Sequence, residues 1–241
     1  MEGIDFGTVR SNDIPLAERV AAQISELIVE KRLTSEDKLP NEFELAALLN
    51  VGRGTIREAV KILVARNVLV IRRGKGTYIA HHPGEIEDPL GFAYYDNKLQ
   101  LAKDLMEVRM QIEPWVTRAA AERATKEDIE KMWANCHLVE EDILAGRDHL
   151  ANDTRFHTSI AECTHNLVVP KLIPIITYSV GLFGSISGNS LRTETIIGHR
   201  SVAEAIDARD AEKAAEAMRQ HLIVNKNELD EIEKAMEEKE E

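Results

Sequence analysis

The sequence predicts a mainly α-helical protein in two parts: a small helical head that ends in a β-hairpin, followed by an antiparallel helical bundle. Three observations carry this. Aromatic residues make up only 5% of the chain while Ala, Glu and Leu are plentiful, which favours helix over sheet. Two short β-type runs flank a basic, Gly-rich tip at residues 72–76. From residue 98 onward the apolar periodicity is helical almost throughout. A length of 241 residues leaves room for one or two domains, each with a core of its own.

Each element has its own signal. From Ile14 to Lys31, the apolar residues Leu16, Val20, Ile24, Leu27 and Ile28 recur at helical spacing, with Asp13 as a candidate cap and Pro15 in the tolerated first turn. LTSEDKLP breaks that helix. Glu42–Asn50 makes a short helix, Val51-Gly52 a turn, and Arg53–Arg66 a third helix with Ile56, Val60 and Leu63 as its buried stripe. Val68–Ile71 and Thr77–Ala80 read as the hairpin strands around RRGKG. This order is the layout of a winged helix-turn-helix, assigned to residues 1–80. HHPGEIEDPLGFAYYDN, residues 81–97, has two prolines, two glycines and no period, and reads as a linker.

The bundle is assigned to residues 98–236. Leu99–Arg123 is one helix or two, with Pro114 as the candidate kink. Thr125 and Asp128 form a capping-box pattern that opens a helix to about Leu144, stopped by Gly146. His149–Cys163, Val168–Ser187, Thr193–Ala208 and Ala211–Met236 follow, with GSISGNS (184–190) as a loop and residues 237–241 as a charged tail. Short connections between amphipathic helices imply antiparallel neighbours.

Composition narrows the class. Hydrophobic residues at 44% and charged residues at 30% argue against wholesale disorder. No apolar run approaches 18 residues, so no membrane span is expected. MEGIDFGTVRSND lacks a basic start followed by an apolar stretch, so no secretory signal is expected. Two cysteines, Cys136 and Cys163, are too few for a disulfide framework or a zinc knuckle, and a reducing cytoplasm is the plain expectation.

The net charge of −12 is unevenly spread. Residues 1–80 hold 12 Lys/Arg against 11 Asp/Glu, and the rest of the chain is net −13. Within residues 51–80, seven basic residues (Arg53, Arg57, Lys61, Arg66, Arg72, Arg73, Lys75) face one acid, Glu58. A basic patch on an acidic chain suits a polyanion partner for that patch alone. A solvated charged face is the alternative, and charge alone does not choose between them.

Motif adds what charge cannot. LPNEFELAALLNVGRGTIREAVKILVARNVLVIRRGKGTYIA, residues 39–80, resembles the winged helix-turn-helix head of GntR-family bacterial repressors. A recognition helix must present donors from its N-terminal end into the major groove. Arg53 and Arg57 are i, i+4 and share a face, and arginine is the side chain that pairs bidentately with guanine. Surface salt bridging is the bland alternative for both. The resemblance implies that Arg53, Thr55, Arg57, Arg73 and Gly74 occupy DNA-contact positions. Position 43 departs from the pattern: Phe43 stands where many relatives carry an arginine, and it cannot donate a hydrogen bond. That bears on operator preference rather than on the class of activity.

The bundle carries a second signal. Asp153 and His157 are i, i+4 on one helix, and His199 and His221 lie on the last two. One carboxylate and three imidazoles suit a divalent transition metal better than Ca or Mg. On spacing alone, histidines satisfied within a core explain the pattern as well. Residues 98–236 resemble the all-helical effector domain of the FadR-type branch of the same family. The marks are MEVRMQIEPWVTRAAAERA (106–124), DTRFHTSIAECTHN (153–166) and HRSVAEAIDARDAEKAAEAMRQHL (199–222). The resemblance implies a metal site of Asp153, His157, His199 and His221. Zinc is the first choice, with nickel or manganese as alternatives. It also implies an effector contact at Arg109, for which pairing with Glu107 or Glu113 is the alternative. A complete ligand set argues against an acyl-CoA and for a small carboxylate effector. Ser185 and Asn189 lie near a further contact position of some relatives and are left out of the set. His137, His149 and His165 are assigned to surface or packing positions.

The expectation is a ligand-responsive regulator, most often a repressor in this family. It would bind palindromic double-stranded operator DNA as a homodimer, with no catalytic residues and no membrane partner. The rival is a metal-dependent hydrolase or isomerase acting on a small carboxylate. Against it, four protein ligands leave few open positions, and no Glu stands beside a ligand as in HExxH.

Overall fold

The structure, a computed structural model, describes residues 14–86, 88–179, 181–182 and 192–240, with side chains through residue 238. The candidate cap Asp13, the loop 184–190 with Ser185 and Asn189, and the leader reading of residues 1–13 lie outside the described residues. The chain divides into two compact units between Pro89 and Leu90.

Among the described residues, the first unit is three helices and a hairpin. Helix α1 spans Leu16–Glu30, α2 Glu42–Leu48 and α3 Arg53–Ala65. Strands β1 (Leu69–Arg72) and β2 (Gly76–Ile79) pair antiparallel, with Leu69 opposite Ile79 and Arg72 opposite Gly76. The core joins Val20, Ile24 and Ile28 of α1 to Leu45 of α2, Ile56, Val60 and Leu63 of α3, and Leu69 and Ile79 of the hairpin. Burying each such side chain contributes about 1.5–3 kcal/mol. Leu16 and Leu27, expected in the α1 stripe, are largely exposed. The buried face is rotated toward Ala21, which the aliphatic pattern left out. The strands begin and end one residue away from the expected positions. Arg72 and Gly76 belong to the ladder, and the tip is only Arg73-Gly74-Lys75. Gly74 takes φ +73°, a left-handed conformation that favours glycine. Lys38, ahead of α2, adds an isolated antiparallel bridge to Tyr78.

The second unit is helical. A short 3₁₀ turn at Phe92–Tyr94 precedes α4, Lys98–Arg123. Phe92 is buried against Leu101 and Leu105 of that helix. Pro114 does not divide α4, which is one helix of 26 residues. Then come α5 (Lys126–Leu144), α6 (Leu150–Glu162), α7 (Val169–Ile176), α8 (Arg192–Asp207) and α9 (Ala211–Glu240). The Thr125 side chain accepts from the Asp128 amide, and the Asp128 carboxylate accepts from the Thr125 amide, which completes the expected capping box. Gly146 ends α5 at φ +69°. Helix α7 ends at Ile176 with a turn at Thr177, residues 178–179 and 181–182 are again helical, and residues 183–187 of the expected run lie outside the described residues, while α9 runs past Met236 to Glu240. The core gathers Met106, Ala120, Met132, Phe156, Ile160, Ile173, Val202, Ile206, Met218 and Leu222 from each of the helices α4 to α9. Cys136 and Cys163 are both buried free thiols. Among the described residues, no helix is long and apolar enough to cross a membrane.

Candidate DNA interface and metal centre

The first unit presents α3 by its N-terminus. Gly52 caps the helix without a side-chain hydrogen bond, so the first-turn N–H groups are open and the positive end of the helix dipole is bare. Such an end suits a phosphate. Arg53, Gly54 and Arg57 are exposed on this turn and the next, and Thr55 is half-buried beside them. Arg73 and Gly74 are exposed at the hairpin tip.

Helix α2 governs how the two arginines stand. The Asn41 side chain accepts from the amides of Phe43 and Glu44, at 2.9 and 3.0 Å, and Glu44 returns to the Asn41 amide at 2.8 Å. This capping box stands in the sequence as N-x-x-E at 41–44, a local signal that the apolar period of α2 does not report. It fixes the turn that carries Glu42 and Phe43. The Arg53 guanidinium carbon lies 3.6 Å from the centre of the Phe43 ring. The Arg57 Nε and Nη2 donate to Glu42 at 3.4 and 3.1 Å. Salt bridging therefore does occur at Arg57, with Glu42, whereas Glu58 pairs with Lys61.

The second unit brings the metal-type residues together in its interior. Arg109 and Glu113 come from α4, Asp153 and His157 from α6, His199 from α8 and His221 from α9, and all six are 1–5% exposed. His157, His199 and His221 each offer a ring nitrogen within 4.8 Å of the others. Asp153 joins them, with Oδ1 3.4 Å from His199 Nε2 and Oδ2 3.7 Å from His157 Nε2. The Phe156 ring, fully buried, packs 4.4 Å from that of His199. A groove of about 680 Å³ along α8 and α9 leads past Ile197, Gly198 and Val224 to His221.

The electrostatics suit a cation. Burial holds the His199 imidazole well below its ordinary pKa and pushes His221 down to about 3, so both rings are neutral, as metal ligands must be. Burial raises the Glu113 carboxyl, but Arg109 and His157 outweigh it and hold it well below the usual carboxylate range. Asp153 Oδ2 and both nitrogens of His199 are buried with no hydrogen-bond partner among the described residues. Orphaned buried polar atoms are costly, and a divalent ion accepted by these donors would satisfy them.

Of the two roles the sequence left open for Arg109, the structure shows the pairing with Glu113. Its Nε donates to Glu113 Oε1 at 2.5 Å, while Nη2 lies 3.5 Å from His157 Nε2. Glu113 Oε2 is 2.6 Å from His157 Nδ1, the place of a carboxylate that orients a ligand imidazole. Glu113 in this second role was missed, as was Gly198. A Cβ at Gly198 would stand 2.6 Å from His221 Nδ1, so only glycine lets α8 and the ring approach this closely. The signal was a glycine inside a helical run next to a candidate ligand. His149, one turn before Asp153, is buried with Nδ1 unpartnered. His137 is exposed and stacks on Trp133, and His165 pairs with Asp128.

Comparison with known proteins agrees with both halves. Residues 16–79 match the family described as "Bacterial regulatory proteins, gntR family", and residues 104–223 match the FCD domain. A provisionally named "L-lactate dehydrogenase operon regulatory protein" of Escherichia coli (strain K12) is 35% identical over 222 residues, covering 86% of this chain and 83% of that protein. The "Uxu operon transcriptional regulator" of the same organism is 29% identical over 217 residues, covering 85% and 83%. The solved structure of Streptococcus agalactiae GntR superposes with a TM-score of 0.77 at 34% identity, over 88% of this chain and 99% of that one. With a winged helix-turn-helix ahead of an FCD bundle, the chain belongs to the GntR family of bacterial transcriptional regulators, in its FadR-type branch.

Proposed function

We propose that the protein is a repressor that binds palindromic operator DNA as a homodimer and is released by a small carboxylate bound beside a divalent metal. Asp153, His157, His199 and His221 would hold one transition metal per chain, zinc first, with nickel or manganese as alternatives. When bound, the metal supplies a Lewis-acidic anchor for a carboxylate. The observation that carries this reading is the buried donor cluster. Two carboxylates, Glu113 and Asp153, and three imidazoles gather around one guanidinium, Arg109, and Asp153 Oδ2 and both nitrogens of His199 have no hydrogen-bond partner among the described residues. A divalent ion would satisfy those atoms, and its positive charge beside Arg109 would suit a carboxylate. Arg109 Nη2 lies 3.5 Å from His157 Nε2, on the cluster side, where it would meet that carboxylate.

Glu113 Oε1 accepts from Arg109 and Oε2 lies 2.6 Å from His157 Nδ1, so this carboxylate is placed as an ion-pair partner beside the imidazole rather than as a general base. This favours sensing over turnover. The name of the lactate-operon relative points to 2-hydroxy acids as the first effectors to try. On the DNA side, Arg53, Thr55 and Arg57 would enter the major groove, and Arg73 and Gly74 of the wing would meet the adjacent backbone or minor groove. Effector binding would bias the two heads between arrangements of unequal operator affinity.

The test is elemental analysis of the full chain supplied with Zn, Ni or Mn, followed by gel-shift titration on the DNA upstream of its own gene with L-lactate and other 2-hydroxy acids. One metal per chain and effector-driven release are expected. Arg109→Ala should keep the metal and lose the release. A wild-type protein that takes up none of the three metals would overturn the site, and Arg109→Ala that responds as wild type would overturn the effector assignment.

A further inference from the structure

The two recognition-helix arginines differ in which part of the guanidinium is free. Arg53 is engaged through its face. Its Cζ stands 3.6 Å above the Phe43 ring centre, and Phe43 is itself 63% exposed, so the ring is not retained for the core. A guanidinium stacked on an aromatic ring keeps its N–H edge in the ring-parallel plane, open for bidentate bonds. Arg57 is engaged through its edge. Nε and Nη2, the donors of one fork, already point at the Glu42 carboxylate. Guanine needs such an edge for O6 and N7. Both holders sit in the first turn of α2, whose conformation the Asn41–Glu44 box fixes.

We infer that this turn divides the labour of the two arginines: Phe43 stacks Arg53 with its hydrogen-bonding edges free to read a guanine, and Glu42 occupies the Nε/Nη2 edge of Arg57 and so disfavours a second bidentate reading. Phe43 is then a positioning residue that sets specificity without touching DNA. It reduces the freedom that Arg53, a long side chain, would lose on entering the groove. Glu42 neutralises one charge on the DNA-facing side, so Arg57 adds little to sequence discrimination. The inference rests on the proposed docking of α3 in the major groove.

The experiment is selection of a randomised duplex pool by the full-length protein, followed by affinity measurements on the enriched sequence and on versions with each guanine replaced, at several salt concentrations. Arg53→Ala should lose the discrimination of one guanine, roughly 5- to 100-fold. Phe43→Ala should lower discrimination at that same guanine about two- to fivefold, leave the other positions alone, and leave the salt slope unchanged, because no charge is removed. Phe43→Tyr should restore it, and Phe43→Ala should add nothing in the Arg53→Ala background. Glu42→Gln should raise affinity for all duplexes and steepen the salt slope by about one phosphate contact. Phe43→Ala with wild-type discrimination, or with an undiminished effect beside Arg53→Ala, overturns the inference while the docking stands. Arg53→Ala without effect at any guanine overturns the docking and the inference together.

Discussion

Replacing Gly198 by alanine adds one methyl group, and the structure gives its consequence. The new Cβ would lie 2.6 Å from His221 Nδ1, 3.1 Å from Cγ and 3.2 Å from Cβ. Ordinary van der Waals contact begins near 3.4 Å, so the ring must retreat by about 0.8 Å. Rotation about the side chain alone does not suffice, because His221 Cβ, fixed to the backbone of α9, is also too close. Either α8 and α9 separate or the ring leaves its rotamer. Metal–ligand distances tolerate only about 0.2 Å. Against this stands a gain of about 0.5–1 kcal/mol from alanine over glycine in a helix interior. Gly198→Ala should therefore fold, and should weaken metal binding at least 10- to 100-fold, the loss typical of disturbing a ligand's support. The assay is metal content per chain after dialysis against a graded chelator, with His221→Ala as the reference for a lost ligand. A variant that holds metal as tightly as wild type would refute the argument that close packing at Gly198 sets the position of His221.

Metal removal should lower the melting temperature of the second unit. A ligand at 100 times its Kd stabilises by about 2.7 kcal/mol, which corresponds to roughly 5–10 °C for a unit of this size. Chelation of His199→Ala should produce no further shift, and an equal shift in that variant would exclude His199 as a ligand. Phe156→Ala should cost about 3–5 kcal/mol in denaturant melts, because the ring is fully buried and backs His199. A cost below 1 kcal/mol would mean that the bundle repacks around the gap. Thr125→Ala should cost about 1 kcal/mol at neutral pH. Burial raises the Asp128 carboxyl, but hydrogen bonds from Thr125 outweigh it and lower its pKa. The carboxylate's share of the box is thus present above the unfolded value near 3.9 and is lost as pH falls through the lower folded value. The difference between wild type and Thr125→Ala should shrink from pH 7 to pH 3 in thermal melts, and a constant difference would count against the box.

Much of the architecture was legible because its signals are local. The stripe Ile56, Val60 and Leu63, the Thr125–Asp128 box and the stop at Gly146 each rest on a few adjacent residues, and each stands as read. Errors arose where packing decides. Leu16 and Leu27 fit the α1 period, yet α3 and the hairpin select a face that includes a small Ala21 instead. Pro114 left one helix or two open, and packing on several sides of the segment resolves it as one continuous helix. The paired i, i+4 residues Asp153 and His157 were visible, whereas their convergence with His199 and His221 is a long-range property. Resemblance supplied it, and spacing did not. Gly198 and the second role of Glu113 depend on how α4, α6, α8 and α9 approach one another, which no single stretch of sequence encodes.

The two buried thiols have a practical consequence. Burial pushes the Cys136 thiol up to about 11 and the Cys163 thiol up to about 12, so neither forms appreciable thiolate at neutral pH. The fold is thereby silent toward mild oxidants and alkylating dyes. A single cysteine placed at an exposed position, for example at Arg73 on the hairpin tip, would take up a fluorophore without background from the native pair. Two such labels in a dimer would report the separation of the tips directly, with the native cysteines left in place.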